Sequence, residues 1–221
     1  MKTVLSTKVL TPSQRELFLN SGLGLVEYDA IKIEYLKVAV PLNHGNLIFT
    51  SQNAVKAFLK LTKGTDYSKF SGFCVGIKTR ALLEENGLKV LETSKNASDL
   101  ATFIAKFHKN EAFLFFCGNL RRNELPTKLS KNNICYKEVE LYKTHLDSKQ
   151  FRRNFDGILF FSPSGIQSFL QENALGKSRA FCIGDTTAEE AKKHTQNITI
   201  ANRPTVENVL VQAIKHYTQN D

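Results

Sequence analysis

Short apolar runs alternate with segments of helical periodicity along most of the chain. The runs LIFT, FCVG and AFLFFC, and later ILFF, AFCIG and ITIA, have the length of β-strands. Between them lie amphipathic segments such as NAVKAFLKL and SGIQSFLQEN, whose apolar residues recur at helical spacing. Near-continuous apolar strands separated by helices predict an α/β fold with parallel sheets covered on both faces.

The chain also repeats a pattern. With a shift of 111 positions, NLIFTSQNAVKAFLK lies over GILFFSPSGIQSFLQ, so that Phe49 matches Phe160 and Ser51 matches Ser162. With a shift of 108, FCVGIKT lies over FCIGDTT. Two blocks that repeat in the same order at nearly one spacing indicate a duplicated unit of roughly a hundred residues.

The duplication predicts two doubly wound parallel-sheet (flavodoxin-like) lobes, one of them discontinuous. The second copy lacks a counterpart of the strand AFLFFC, so we expect the N-terminal strand TVLST to complete its sheet beside ILFF. One lobe then comprises residues 1–30 and 145–221, and the other comprises 33–140. The segments IKIEY and ELYKT, in the linkers 30–36 and 140–145, would form a two-stranded antiparallel connection with a cleft between the lobes.

The charge balance favours an anionic partner. Thirty Lys and Arg stand against 21 Asp and Glu, a formal net charge of +9 that raises the local concentration of anions around any cleft. The lysines are spread along the whole chain without an aromatic-basic RNA-recognition signature, which argues against nucleic acid. No basic amphipathic helix suits a membrane surface. A small polyanion is the favoured ligand, although an excess of lysine can also serve solubility alone.

The sequence lacks motifs for secretion, metal binding and nucleotide binding, and this bears on the cellular location of the protein and on its cofactors. The N-terminus has no apolar signal segment and the run AFLFFC is too short to cross a bilayer, so we expect a cytoplasmic protein. The four cysteines lack any CxxC spacing and the five histidines lack HxxxH or HExxH, which predicts reduced thiols and no metal. No phosphate-loop or dinucleotide fingerprint occurs, so no nucleotide cofactor is expected.

The repeated serines follow predicted strands and open predicted helices. In parallel sheets, ligands bind beyond the carboxyl ends of the strands, where helix N-termini favour anions. Helix capping is an alternative explanation for each hydroxyl, but it does not explain Gly165 and Gly184, which would let a ligand approach the backbone. Three pairs have the spacing of a capping box: Ser13 with Glu16, Ser164 with Gln167, and Thr186 with Glu189.

Tyr142 lies in VELYKTH, within the predicted connection between the lobes. A phenol there could face the cleft as a proton donor or hydrogen-bond partner. The alternative is an aromatic side chain with a purely structural role on a two-stranded ribbon, and composition and spacing alone favour that alternative.

Six segments, in this order, resemble the motifs of the uroporphyrinogen-III synthase family: LIFTSQNAV, FCVGIKT, VELYKT, ILFFSPSGIQSF, FCIGDTTAEEA and NRPTVENVL. The resemblance covers nearly the whole chain. It implies a bilobal lyase of heme and porphyrin biosynthesis that uses no cofactor or metal. Such an enzyme closes hydroxymethylbilane, a linear tetrapyrrole, to uroporphyrinogen III with inversion of ring D and loss of water. Each pyrrole of that substrate carries an acetate and a propionate arm, so the substrate is a small polyanion. We expect a monomer.

The resemblance also implies site residues. Tyr142 is the candidate catalytic acid, and the candidate substrate-binding positions are Lys8, Ser51, Gln52, Asn53, Ser162, Ser164, Gly165, Arg179, Thr186 and Thr187. The family commonly has TR after the first strand and GPTT in the second copy, whereas this chain has Thr7-Lys8 and GDTT. The carboxylate of Asp185 weakens the case for an anion site at that turn, unless it points to solvent or caps the helix. The alternative functions are a non-catalytic bilobal protein that binds a small polyanion and, less favoured, a nucleic-acid-binding protein.

Overall fold

The computed structural model describes residues 1–218, and these form eleven strands and eight helices. The strands are β1 (Thr3–Ser6), β2 (Gly24–Glu27), β3 (Ile31–Tyr35), β4 (Asn46–Phe49), β5 (Ser71–Val75), β6 (Lys89–Ser94), β7 (Ala112–Gly118), β8 (Cys135–Leu146), β9 (Gly157–Phe160), β10 (Arg179–Cys182) and β11 (Ile198–Ile200). The helices are α1 (Pro12–Leu19), α2 (Gln52–Leu61), α3 (Ile77–Glu84), α4 (Ala97–Phe107), α5 (Glu124–Lys131), α6 (Pro163–Glu172), α7 (Asp185–Lys192) and α8 (Val206–Thr218). The chain divides into two compact units, Met1–Lys32 with His145–Asp221, and Ile33–Thr144.

The first unit contains a five-stranded sheet in the order β11-β10-β9-β1-β2, and all its neighbouring strands are parallel. The N-terminal strand β1 pairs with β9, which confirms the prediction that TVLST lies beside ILFF. Alternate residues point to opposite faces, because Leu5 packs with α6 and α7 whereas its neighbour Val4 packs with α1 and α8. The sheet is therefore covered on both sides, as the apolar runs predicted.

The second unit contains a six-stranded sheet in the order β3-β8-β7-β4-β5-β6. The neighbours from β8 to β6 are parallel. Leu47 packs against α2 and α3, and Ile48 packs against α4 and α5 on the other face. Both units therefore have the doubly wound α/β architecture that the sequence predicted.

Strands β3 and β8 run antiparallel, as the partners at each end show. Leu36 N–H donates to the Leu141 carbonyl at 2.9 Å in the second unit. Asp147 N–H donates to the Ala30 carbonyl at 2.9 Å in the first unit. The residue numbers of the partners change in opposite directions, which only an antiparallel pair allows.

Three elements of the second unit were not predicted from the apolar pattern. Strand β6 lies at the edge of the sheet, and its residues are mostly half-buried or exposed, so it has no continuous apolar run. The first half of β8 pairs with β7 and alternates polar with apolar residues, as an outer strand does. Helix α5 carries only a few buried apolar residues among polar ones.

All three predicted capping boxes were wrong, because each helix begins two residues earlier. Thr11 caps α1 and forms a reciprocal capping box with Gln14, and Ser162 caps α6. Proline occupies the first position of both helices, where its fixed φ favours an early start. Helix α7 follows Gly184 directly, with no side-chain cap. In the described part of the chain, no helix is long and apolar enough to cross a membrane.

Candidate functional site

Tyr142 and Ser51 meet at the carboxyl edge of the second unit's sheet. Ser51 follows β4 and caps α2, where its Oγ accepts a hydrogen bond from Ala54 N–H at 3.1 Å. The phenol oxygen of Tyr142 lies 2.9 Å from Ser51 Oγ, and either hydroxyl can be the donor. Since Ser51 already accepts from Ala54, it can donate its own proton to Tyr142 and leave the phenol O–H free to donate to a third group.

The position of Tyr142 depends on its neighbours on β7. Tyr142 pairs with Gly118 at an irregularity in the β7–β8 ladder, and a Cβ at Gly118 would lie 2.5 Å from the Tyr142 ring. Glycine is therefore required for the ring to lie flat on the strand. Asn119, the residue after β7, holds the part of β8 that follows the tyrosine ring: its N–H donates to the Tyr142 carbonyl at 3.3 Å, and its Oδ1 accepts from Thr144 N–H at 2.8 Å. Neither Gly118 nor Asn119 was among the predicted site residues.

Burial makes ionisation of Tyr142 less favourable. Loss of solvation raises the pKa of the half-buried phenol above its usual value of about 10, while the hydrogen bond from Ser51 opposes that rise. The nearby thiol of Cys117 is itself buried, and burial raises its pKa to about 11. The Tyr142 phenol is thus neutral at physiological pH and can donate a hydrogen bond.

The other predicted residues of the second unit lie beside Ser51. Gln52 and Asn53 form the first turn of α2, where Gln52 is exposed and Asn53 is half-buried. Their backbone N–H groups point along the helix axis toward its N-terminus, where an anion is favoured.

The first unit has a corresponding group at the carboxyl edge of its own sheet. Ser162 occupies the position of Ser51, as the duplication predicted: it follows β9 and caps α6 by accepting from Gly165 N–H at 3.1 Å. Ser164 Oγ lies 3.0 Å from Ser162 Oγ. The loop after β1 lies next to them, because β1 pairs with β9 and Thr7 Oγ1 donates to the Leu159 carbonyl at 2.7 Å.

Gly165 and Gly184, both at this edge, differ in the space that surrounds their Cα atoms. A Cβ at Gly165 would lie 3.4 Å from Ser162 Oγ, which is an ordinary contact, so the site does not depend on glycine there. A Cβ at Gly184 would have no neighbour within 4 Å, so open space lies over the start of α7. Asp185 and Thr186 follow and are exposed, which fits the condition that the carboxylate points to solvent. Lys8 is exposed after β1.

The structure does not bring Thr187 and Arg179 to this surface. Thr187 is 2% exposed and packs inside the first turn of α7, so its hydroxyl is not available to a ligand. Arg179 is the first residue of β10 and pairs with Gly157, the first residue of β9. It therefore lies at the amino edge of the sheet, opposite the serine turns. The sequence did contain a signal for this location, because Arg179 precedes the apolar run of β10 instead of following it.

A cavity of about 670 Å³ lies beside the carboxyl ends of β5 and β6, and the sequence analysis did not predict a site there. Its lining includes Gly76, Ile77, Arg80, Thr93, Ser94 and Lys95. Gly76 has a positive φ of 85° and precedes α3 without a side-chain cap, and Ile77 is 77% exposed. The lining also includes Glu84, whose Oε1 lies 2.9 Å from Arg80 Nε, so the cavity combines an exposed isoleucine with an Arg80–Glu84 ion pair and the cation of Lys95. The repeat in the sequence could have indicated this position, because it aligns Gly76 with Gly184.

Comparison with known proteins gives consistent results. The family model described as uroporphyrinogen-III synthase HemD matches residues 15–210. The porphyrin biosynthesis protein HemD of Ruminiclostridium josui is 26% identical over 247 residues, which cover 95% of this chain and 48% of that protein. The chain thus spans about half the length of this curated relative.

Two solved structures show the same fold. Uroporphyrinogen-III synthetase from Helicobacter pylori superposes with a TM-score of 0.72 at 19% identity, covering 98% of this chain and 100% of that chain. A mutant uroporphyrinogen III synthase from the extremely thermophilic bacterium Thermus thermophilus superposes with a TM-score of 0.75 at 13% identity, covering all of both chains. Because the family model spans most of the sequence, the chain belongs to the uroporphyrinogen-III synthase HemD family.

Proposed function

We propose that this chain is a uroporphyrinogen-III synthase, a cyclising lyase of porphyrin biosynthesis. It would convert hydroxymethylbilane to uroporphyrinogen III with inversion of ring D and release of one water. Membership of the family supports this activity. The observation that carries it in the chain itself is the Tyr142 phenol, whose ionisation burial makes less favourable and which lies 2.9 Å from a serine hydroxyl that can donate to it.

Tyr142 would act at the first step, departure of the terminal hydroxyl of the substrate. A lone pair of the adjacent pyrrole displaces the hydroxyl, which leaves as water when it takes the phenol proton, and an azafulvene results. The Ser51 proton, hydrogen-bonded to the phenol oxygen, would stabilise the phenolate that forms, as the opposing effect of Ser51 on the pKa indicates.

The later steps need positioning more than proton transfer. The substituted carbon of ring D attacks the azafulvene to give a spiro-pyrrolenine, which fragments and recloses with ring D reversed. A proton is lost as the final ring regains aromaticity, and the phenolate of Tyr142 can accept it, so that the net reaction releases only water. Holding the linear substrate folded is then the main contribution of the protein.

The carboxylate arms of the substrate would bind to helix N-termini at the carboxyl edge of each sheet. Ser51 and Ser162 cap α2 and α6, whereas α3 and α7 directly follow Gly76 and Gly184, which provide no side-chain cap. Uncapped N–H groups and the positive end of the helix dipole suit carboxylates, and exposed Lys8 and Lys95 add charge.

The activity is tested with hydroxymethylbilane generated enzymatically and supplied in large excess over the protein. Many turnovers to uroporphyrinogen III per molecule of protein would support the synthase. The second candidate, a bilobal protein that binds the polyanion without reaction, predicts saturable binding but an unchanged rate of spontaneous closure.

We further propose that the protein acts as a monomer, and that it acts in the cytoplasm, where a soluble polycarboxylate substrate would be accessible to it. Analytical ultracentrifugation tests the first part, and a species twice the chain mass of 24.9 kDa at working concentration would refute it.

A further inference from the structure

A cavity of about 720 Å³ lies at the amino edge of the first unit's sheet. Four of its lining residues directly precede strands: Lys2 before β1, Asp156 before β9, Ser178 before β10 and Asn197 before β11. The cavity is therefore at the end of the sheet opposite the serine turns, so it is distinct from the candidate substrate site of this unit. Its volume is in the range of small-molecule sites.

Arg179 projects from the start of β10 into the lining of this cavity. Its Nη1 donates to the Ile198 carbonyl at 3.4 Å and to Thr199 Oγ1 at 3.3 Å. Its Nε is buried and has no hydrogen-bond partner, and no ion pair within the described residues includes this guanidinium. A buried cationic N–H group without an acceptor costs free energy, and the rest of this guanidinium has no carboxylate partner among the described residues.

The wall beside Arg179 is held in place by Tyr217. Its hydroxyl donates to the Asp156 carbonyl at 2.7 Å. A Cβ at Gly157 would lie 2.8 Å from both that hydroxyl oxygen and the Phe181 ring, so only glycine permits this approach. His216, on the same turn of α8, lines the cavity together with Arg179 and Tyr217.

The charge of the cavity is positive. Its lining includes three cationic side chains, Lys2, Lys177 and Arg179, and one carboxylate, Asp156. That carboxylate already accepts from Thr3 N–H at 2.8 Å and lies 3.1 Å from Lys2 Nζ. Lys177 and Arg179 thus have no compensating carboxylate in the lining.

We propose that this cavity binds a small molecule through a phosphate or carboxylate group that pairs with the guanidinium of Arg179. The planar guanidinium offers N–H groups to two oxygens of one anion, a geometry that suits both groups. The exposed Lys177 adds a second positive charge at the cavity. The site would therefore be an accessory anion site, separate from the proposed catalytic residues.

The test is an NMR titration of the full chain that follows the Arg179 Nε–H signal and the Tyr217 amide. Inorganic phosphate and citrate are the two probes, and sodium chloride at the same ionic strength is the control. We expect a saturable shift with at least one probe and none with chloride. A response to phosphate alone assigns a phosphate ligand, and a response to citrate alone assigns a carboxylate.

Variants connect the response to the guanidinium. Arg179→Met should weaken binding, followed at the Tyr217 amide, by at least about tenfold, as expected for loss of a charge-assisted hydrogen bond. Arg179→Lys should have an affinity between those of the wild type and Arg179→Met, because it keeps the charge but loses the Nε–H. It serves as the test if the methionine variant does not fold. Arg203→Met, an exposed control in the same unit, should bind as the wild type does. Equal affinity in the Arg179 and Arg203 variants, or shifts that chloride reproduces, would overturn the proposal.

Discussion

Replacing Tyr142 with phenylalanine removes one oxygen from the centre of the proposed mechanism. The ring can stay on Gly118, and Ser51 keeps its bond from Ala54, so the fold loses only one neutral hydrogen bond, worth about 0.5–1.5 kcal/mol. The turnover number should fall roughly 10- to 1,000-fold, within or just below the usual range for general acid catalysis. The electron-rich pyrrole already promotes departure of the hydroxyl, which limits the loss.

The assay compares initial rates of hydroxymethylbilane consumption and the isomers formed. Tyr136→Phe is the matched control, because it lies on the same strand and its hydroxyl bonds Ser130 and Pro126 instead. The control should retain the wild-type rate. Isomer III should remain the enzymatic product of Tyr142→Phe, since ring inversion depends on the folded pose of the substrate. A wild-type rate in Tyr142→Phe would refute the acid role and leave the tyrosine as a structural aromatic.

Three further predictions concern neighbouring features. Gly118→Ala should displace the Tyr142 ring, destabilise the protein by about 1–3 kcal/mol and slow turnover. Gly45→Ala is the control and should change neither stability nor turnover, because its Cβ would lie 3.8 Å from its nearest neighbour. Urea unfolding measures the stability of each variant, and rate assays measure its turnover. Ser164→Ala should weaken substrate binding by about 1 kcal/mol without abolishing activity, and complete loss of turnover in the folded variant would instead indicate an indispensable hydroxyl. Burial, with a smaller effect of a nearby carboxylate, raises the pKa of Tyr217 to about 12, so its stabilisation is complete below pH of about 10 and is lost as the pH rises to about 12. The urea midpoint should fall over that window, and Tyr217→Phe should reduce the fall.

The duplicated pattern predicted much of the architecture because strand ends and helix starts repeat with it. Ser51 and Ser162 are both helix caps directly after a central strand. Gly76 and Gly184 both precede helices without a side-chain cap. The strands of a sheet that is covered on both faces can be recognised in the sequence as apolar runs, so the residues that directly follow them can be located too.

Other features depend on contacts that a single sequence does not display. The role of Gly118 follows from a ring that approaches it across the ladder from residue 142, and nothing near CGN in the chain indicates this. The burial of Thr187 depends on where α7 begins, which the absence of a side-chain cap at Gly184 made hard to predict. Arg179 was assigned by resemblance alone, and the direction of β10 places it at the other edge of the sheet.

The isomer composition of the product decides whether this chain is a uroporphyrinogen-III synthase. Hydroxymethylbilane is incubated with a catalytic amount of the protein, and the uroporphyrinogens are oxidised and separated by chromatography. Spontaneous closure gives isomer I, so a synthase should make isomer III predominate, with a share that increases with protein concentration. Product that remains isomer I, formed at the rate seen in buffer alone, would show that the chain is not a synthase.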